Sequence, residues 1–377
     1  MRRLAVLSMH TSPLAQPGTG DGGGMNVYVR ELSAGLARAG VACDVYTRAE
    51  SAEAAAIVAV EPGLRVHHIP AGALGPVPKQ SLPGLVDEFA DGVLARMAAQ
   101  RSWGEDPAEL IHANYWLSGV AGHRMKHELG LPLVSTFHTL ARVKAESSPE
   151  ELSAHEPARR TAAEVAVIGC SDAILASCDV EALQIAELYH ADPDRIELVP
   201  PGVDHAFFAP GNRAQARRAL GLPAERRMLL FVGRIQPLKG LDVAIGALAA
   251  LSDHLDAFLV VVGGPSGPQG EHEVARMHAL ARDRGVAGRV RFLPPQRHEL
   301  LSTFYRAADV ALVPSRSESF GLVALEASAC GTPVVATAVG GLRTLVEDGA
   351  TGFLVEDRDP FVFAKAVAAV LGDRDLA

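Results

Sequence analysis

Short apolar runs rich in Val, Leu, Ile and Ala alternate along the chain with longer stretches whose apolar residues recur at helical spacing. That alternation predicts βα units, and βα units assemble parallel sheets covered by helices on both faces. In the first half the expected strands are Leu4–Met9, Ala42–Thr47, Arg65–Ile69, Leu110–Ala113, Leu133–Thr136 and Ala173–Ala176. The helices between them are Asn26–Ala39, Leu82–Ala99, Leu117–Glu128 and Val180–Leu188. The Pro/Gly-rich segment "VPPGVDHAFFAPGN", residues 199–212, follows a strand in "RIELVPP" and interrupts the pattern, as an interdomain connection does. Beyond it the strands Met228–Val232, Ala257–Val262, Val290–Leu293, Val310–Val313, Pro333–Ala336 and Gly352–Val355 are expected. Helices Leu241–Leu251, Glu271–Arg284, Arg297–Ala307, Leu322–Ala329 and Leu342–Glu347 separate them. The expectation is therefore an α/β protein of two doubly wound parallel-sheet domains, residues 1–203 and 204–377, facing each other across a cleft. Parallel sheets bind ligands beyond the carboxyl ends of their strands, so function is sought in the loops that follow strands.

Bulk properties narrow the classes. At 377 residues with 48% hydrophobic and 21% charged composition, the chain can bury two sizeable cores. Its net charge of −9 argues against a general nucleic-acid binder, while a local basic pocket for an anion stays open. No run of 18 apolar residues is present, so no transmembrane segment is expected. "MRRLAVLSMHTS" opens directly as a strand rather than as an export signal. Cys43, Cys170, Cys178 and Cys330 form no CxxC pair and no Cys/His metal spacing, and read as reduced thiols of a cytoplasmic protein.

Three turns of the second half carry polar groups at strand ends. In "FVGRIQPLKG" a buried strand ends at Gly233, followed by Arg234 and, five residues later, Lys239. This is either a solvated turn or a diphosphate clamp, in which Arg supplies a planar fork and Lys a mobile point charge. "VVVGGPSGP" runs a strand into a glycine turn, common after buried strands and suited to close ligand approach. In "DVALVPSRSESFGLVALEASA" a helix is expected to start near Phe320–Gly321, and its free N–H groups suit phosphate oxygens. Glu318 lies just before that helix, where it caps the N–H groups or faces a ligand. Glu326, among apolar neighbours, must be paired or see its pKa rise, whether as a structural ion pair or as a ligand group. Together, spaced E-x7-E, they suit recognition of sugar and ribose hydroxyls on either side of a diphosphate.

In the first half, Gly18, Gly20 and Gly23 read nominally as G-x-G-x-x-G, with Asp44 some twenty residues on, as in a nicotinamide dinucleotide site. The first glycine comes too late after the strand for a tight strand–turn–helix. The alternative is a long glycine loop whose N–H groups, with the helix start near Gly24–Asn26, meet a diphosphate. Lys79, Tyr115, His138, Thr139, Arg159 and Arg160 are singly surface or core residues, yet Tyr115, His138 and Thr139 lie at strand ends. Cations and hydroxyls in that combination suit a phosphate monoester.

"VGR…K", "GGPSGP", "ESFGLVALEA…GTPVV…VGG" and "TGFLV" resemble the retaining, nucleotide-sugar-dependent glycosyltransferases of family four, which have the GT-B fold. "SMHTSPLAQPGTGDGGGMNVYV", "YWLSG", "HTLARVK" and "EPARR" are similar to the branch of that family acting in mycothiol biosynthesis. The resemblance spans essentially the whole chain. It implies transfer of N-acetylglucosamine from UDP-GlcNAc to a phosphorylated cyclitol, 1L-myo-inositol 1-phosphate. By that resemblance Arg234 and Lys239 hold the donor diphosphate, and Glu318 with Ser319, Phe320, Gly321 and Leu322 meets the transferred sugar. Glu326 meets the ribose, Gly24 the β-phosphate, and His138 lies beside the transferred sugar. Lys79, Tyr115, Thr139 and Arg159 match the acceptor-phosphate pocket, with Asn26 near the inositol ring.

The resemblance further implies front-face attack with retention, the leaving diphosphate taking the acceptor's proton, and a homodimer. No DxD motif stands at a strand end, so catalysis without a metal or other cofactor is expected. The sequence departs from the family in "AESSPEELSAHEPARR", in the glycines of "GDGGG", and in closing at "LGDRDLA", where the family's last helices usually return to the first domain. Alternatives are a family-four enzyme using another UDP-sugar or acceptor (an aminocyclitol or sugar phosphate), an NAD-dependent oxidoreductase, and a sugar-nucleotide sensor without turnover.

Overall fold

A computed structural model describes residues 1–18, 20, 22–147, 156–251, 255–267 and 269–372. Asp21 of "GDGGG", Pro268, residues 148–155 of the "AESSPEELSAHEPARR" departure and the closing residues 373–377 lie outside the described residues. Contacts divide the chain into one unit of Met1–Ala15 and Met25–Val199 and a second of Gln16–Gly24 and Pro200–Ala377.

The first unit is an eight-stranded sheet made of β1 (Arg3–Leu7), β2 (Ala42–Arg48), β3 (Ile57–Glu61), β4 (Leu64–Ile69), β5 (Leu110–Asn114), β6 (Leu133–Thr136), β7 (Ala173–Ala176) and β8 (Ile196–Leu198). Their order is β3-β4-β2-β1-β5-β6-β7-β8. All pairs are parallel except β3 with β4. Six expected strands are present, with ends shifted by at most two residues. The unexpected β3 is an edge strand joined to β4 through Pro62 and Gly63, and Gly63 takes φ +84°, the left-handed value such a turn needs.

Helices α1 (Gly24–Arg38), α2 (Val86–Ser102), α3 (Trp116–Leu129), α4 (Ala141–Ser147), α5 (Glu156–Cys170) and α6 (Asp179–Tyr189) complete this unit. The helix expected from Leu82 starts later. Pro83 sits in a 3-10 segment, Lys79–Leu85, and regular helix begins at Val86. Phe89, Ala90, Val93 and Met97 of α2 pack into the core with Leu7, Ile69 and Ile111, while Trp103 just beyond is exposed.

The second unit has β9 (Arg227–Val232), β10 (Ala257–Val262), β11 (Val290–Leu293), β12 (Val310–Val313), β13 (Val334–Thr337) and β14 (Gly352–Val355), ordered β11-β10-β9-β12-β13-β14 and all parallel. Its helices are α7 (Arg213–Ala219), α8 (Leu241–Ala250), α9 (Gly270–Asp283), α10 (His298–Ala307), α11 (Leu322–Ala329), α12 (Leu342–Leu345) and α13 (Pro360–Gly372). Leu229, Phe231, Leu259 and Val261 pack to one face under α8, α9 and α13. Met228, Leu230, Phe258 and Val260 pack to the other, against Phe304, Tyr305, Ala324 and Ala327. Burial on both faces is why these strands read as unbroken apolar runs. Each fully buried Leu or Phe contributes about 1.5–3 kcal/mol of transfer free energy.

Strand order also locates where ligands belong. From β1 the chain moves outward through β2 to β4, then returns to place β5 on β1's other side. Likewise it leaves β9 for β10 and β11, then returns to place β12 beside β9. Connections departing in opposite directions leave a crevice at the carboxyl ends of β1/β5 and of β9/β12. Among the described residues no helix is long and apolar enough to cross a membrane.

Candidate active site

At the β9/β12 switch point the second unit gathers its cations and a carboxylate. After β9, the Gly233 N–H donates to the Val262 carbonyl at 3.0 Å and Ile235 N–H to the Gly264 carbonyl at 2.8 Å, so the turns after β9 and β10 run in contact. A Cβ on Gly263 would lie 1.8 Å from the Gly233 oxygen, which is why glycine is required there. Arg234 Nη1 donates to Ser266 Oγ at 3.2 Å, and Ser266 Oγ donates to the Gly20 carbonyl at 2.9 Å. The glycine loop thus meets Arg234 through Ser266, and a Cβ on Gly23 would sit 3.4 Å from Arg234 Nε. Gly24 approaches Leu322, 3.4 Å from where its Cβ would be. The nominal G-x-G-x-x-G spans no tight turn, because β1 ends at Leu7 and α1 starts at Gly24.

Lys239 closes a 3-10 turn, Pro237–Lys239, and its Nζ lies 2.7 Å from Glu318 Oε2. Ser315 Oγ donates to the same oxygen at 3.1 Å. Glu318 therefore turns to Lys239 rather than to the start of α11, which follows Gly321 at φ +104° without a side-chain cap. Its carbonyl accepts from Gly341 N–H at 3.2 Å, fixing the 318–321 turn against the loop after β13. Ser319, Phe320, Gly321 and Leu322 lie on that turn, with Phe320 buried.

Glu326, about one turn into α11, is 5% exposed. One of its oxygens is 2.7 Å from His298 Nε2 and the other accepts from Tyr305 OH at 2.7 Å. Burial and the Glu326 charge hold the Tyr305 hydroxyl well above its ordinary pKa, so it stays a donor. The pairing that burial demands is thus supplied by α10, and each carboxylate oxygen keeps a further lone pair.

In the first unit the corresponding loops are strained. Tyr115 follows β5 at φ +74°, ψ 154°, and His138 follows β6 at φ +62°. Such values in bulky residues persist only where surrounding structure enforces them, and they concentrate at functional sites. His138 Nε2 lies 2.9 Å from Asn114 Oδ1, and its ring meets Tyr28 edge-on at 4.9 Å. Burial, with nearby His112, pushes the His138 pKa down to about 3, so its imidazole is neutral near pH 7. Burial likewise pushes His112, whose Nε2 is 2.9 Å from Thr136 Oγ1, down to about 4.

Arg160, fully buried on α5, joins the two loops. It donates to the Thr139 carbonyl at 2.6 Å, to Thr139 Oγ1 at 3.0 Å and to Tyr115 OH at 3.3 Å, with its guanidinium 5.0 Å from the Tyr115 ring centre. Glu164, one turn on, accepts from Arg160 Nε at 2.7 Å, from Ala141 N–H at the start of α4, and from Tyr189 OH. Arg159, next to Arg160 in sequence, and Lys79 are both exposed. Asn26 is buried in the first turn of α1, where its Nδ2 donates to Thr11 Oγ1 at 2.7 Å and the Ser12 carbonyl at 2.5 Å.

The structure therefore brings Arg234, Lys239 and Glu318 to one switch point and Tyr115, His138 and Thr139 to the strand ends of the other sheet. Sequence reasoning missed Ser266, Ser315, His298 and Tyr305, and gave Arg160 no role apart from Arg159. The i,i+4 spacing of Arg160 and Glu164 was the available signal for the last.

Two family models match: Glycosyl transferase 4-like domain over residues 23–202 and Glycosyl transferases group 1 over residues 212–377. A D-inositol 3-phosphate glycosyltransferase of Actinosynnema mirum is 49% identical, covering 98% of this chain and 89% of that protein. One of the same name from Acidothermus cellulolyticus is 48% identical, covering 98% and 83%. Among solved structures, sucrose-phosphate synthase from Thermosynechococcus elongatus superimposes with a TM-score of 0.89 at 33% identity, covering 99% of this chain and 90% of that one. WaaG, a glycosyltransferase of lipopolysaccharide biosynthesis, gives 0.73 at 22% identity, covering 99% and 91%, and supports the fold alone. Two parallel-sheet α/β domains of the GT-B class agree with the expectation from sequence, and the chain belongs to the glycosyltransferase family that includes these D-inositol 3-phosphate glycosyltransferases.

Proposed function

We propose that this enzyme transfers N-acetylglucosamine from UDP-GlcNAc to 1L-myo-inositol 1-phosphate, which is D-inositol 3-phosphate in the other numbering, with retention at the anomeric carbon. The observation that carries it is 48–49% identity over nearly the full chain to relatives bearing that name. The product is the first glycoside of mycothiol biosynthesis.

Arg234 and Lys239 hold the donor diphosphate, with Gly24 against the β-phosphate. Glu318 and the 319–322 backbone accept and donate to the transferred sugar's hydroxyls, and Glu326 takes the ribose with its remaining lone pairs. Lys79, Tyr115, Thr139 and Arg159 bind the acceptor phosphate, Asn26 lies near the inositol ring, and neutral His138 hydrogen-bonds the transferred sugar. The acceptor oxygen forms the new bond to the anomeric carbon on the face from which the diphosphate oxygen departs. That diphosphate takes the acceptor's proton. Charge developing on UDP is met by Arg234 and Lys239, which serve in place of a metal ion.

Four free cysteines fit a cytoplasmic enzyme, and the exposed Trp103 fits a homodimer. The test is product identification: mass spectrometry for a phosphorylated N-acetylglucosaminyl inositol and the anomeric proton coupling for its configuration. A β-linked product, or one lacking phosphate, overturns the assignment.

A further inference from the structure

On the first unit, α3 and α5 pack closely because Gly119 leaves room for Val167: a Cβ there would sit 2.8 Å from Val167 Cγ1. That approach carries the last turn of α5 to the side of α3 where His123 and His127 stand one turn apart. The ligating atoms of His123, His127 and Cys170 all lie within 4.8 Å of one another. Cys170 Sγ is 3.6 Å from His127 Nε2, and the two imidazole centres are 5.2 Å apart.

We propose that His123, His127 and Cys170 form a binding site for a divalent cation of the zinc class, separate from the groups assigned to glycosyl transfer. Zinc bonds to thiolate at about 2.3 Å and to imidazole at about 2.0–2.1 Å, which places S and N about 3.6 Å apart on a tetrahedron's edge. The Cys170–His127 separation has that value before any ion is bound. Two imidazoles and a thiolate select zinc or cobalt over magnesium or calcium, which prefer oxygen. Two histidines at i,i+4 share one helix face, so α3 supplies both without distortion.

The three groups line an open depression of about 610 Å³, which leaves a fourth coordination position to water. Two cations share that depression, Lys126 and Arg195. Lys126 Nζ is held 2.7 Å from both Asp172 Oδ2 and the Cys170 carbonyl oxygen, so its charge is already opposed. Arg195 Nη1 points to the Gly169 and Ser171 carbonyls. The site lies ~12–18 Å along α3 from Tyr115, at the 1.5 Å rise per residue of a helix. Its effect is therefore to tie α3 to α5, the helices whose first turns follow Tyr115 and carry Arg160. The sequence concealed it because Cys170 is 43 residues from His127.

The test is titration of the reduced full-length protein with Co²⁺, reading the thiolate-to-cobalt charge-transfer band in the near ultraviolet, followed by displacement with Zn²⁺. The other three cysteines are buried, so such a band reports Cys170. Wild type is expected to show the band and a rise in Tm with Zn²⁺. Cys170→Ser should lose the band, and His127→Gln should weaken binding at least ~10-fold, the loss that even an outer partner of a metal ligand costs. Both positions are surface-accessible, and retained transfer activity in each variant shows that it folds. Absence of the band in wild type, or equal Co²⁺ binding in the doubly substituted protein, overturns the proposal.

Discussion

Lys239 Nζ and Glu318 Oε2 stand 2.7 Å apart although 79 residues separate them in sequence, because β9 and β12 are neighbours at a switch point. Both are partly exposed, at 24% and 18% of the side chain. A pair in that setting contributes at most ~1 kcal/mol to stability. Lys239→Met is therefore expected to leave Tm nearly unchanged while lowering kcat ~100–1000-fold, as removal of a preorganised charge-stabilising donor does. A variant that is destabilised yet fully active would make the pair structural.

Glu326 should behave in the opposite manner. Its removal takes the acceptor from the buried Tyr305 hydroxyl and the Glu326 bond from His298. Glu326→Ala is expected to cost ~2–4 kcal/mol of stability in urea unfolding, from orphaned polar groups and lost charged hydrogen bonds. Donor KM should rise as well. Unchanged unfolding midpoint with weakened donor binding would assign Glu326 to the ligand alone.

Arg159 and Arg160 are adjacent but belong to different environments. Arg160 is buried with Glu164, so Glu164→Gln leaves an uncompensated charge and should cost ~3–5 kcal/mol. Arg159→Ala, at an exposed position, should leave Tm unaltered and raise acceptor KM ~10–100-fold, the worth of one charged hydrogen bond. Donor hydrolysis should be unaffected. An Arg159→Ala enzyme with normal acceptor KM removes that residue from the phosphate pocket.

His138 and His112 give the protein an acid limit. Burial depresses both values, to about 3 and about 4, below the unfolded value near 6.5. The unfolded chain thus binds protons that the native one refuses, and stability is fully present above pH 6.5 and falls as pH drops toward 4. His138→Asn keeps a residue tolerant of positive φ and should flatten that fall, by on the order of 3 kcal/mol at pH 4. The same neutrality predicts no His138 ionisation in the pH–rate profile above pH 5. A rate step near pH 6.5 that this variant abolishes would contradict the depressed value.

What was legible in the sequence follows from where burial is complete. Strands β10 and β12 match the expected residues, since burial on both sheet faces leaves an apolar run with sharp ends. Edge strand β3 is only partly buried, and its pattern carries little signal. Helix α7 was hidden within a loop-like composition, although Asn212 caps it through Gln215 N–H at 2.9 Å. Helix α13 is apolar on most sides and lacks the polar stripe that marks a surface helix. At the site, Arg234, Lys239 and Glu318 were legible because each lies in the segment that connects a strand's carboxyl end to the next helix. The Arg160–Glu164–Tyr189 group was not, because its members meet only once α5 and α6 pack.

The central claim is transfer to a phosphorylated cyclitol, and steady-state UDP release from UDP-GlcNAc tests it most directly, with 1L-myo-inositol 1-phosphate or unphosphorylated inositol as acceptor. Retention of a phosphate-binding pocket predicts that kcat/KM is at least ~100-fold higher with the phosphorylated acceptor, about the worth of two charged hydrogen bonds. Equal rates with both acceptors, or UDP release that neither one accelerates, would contradict it.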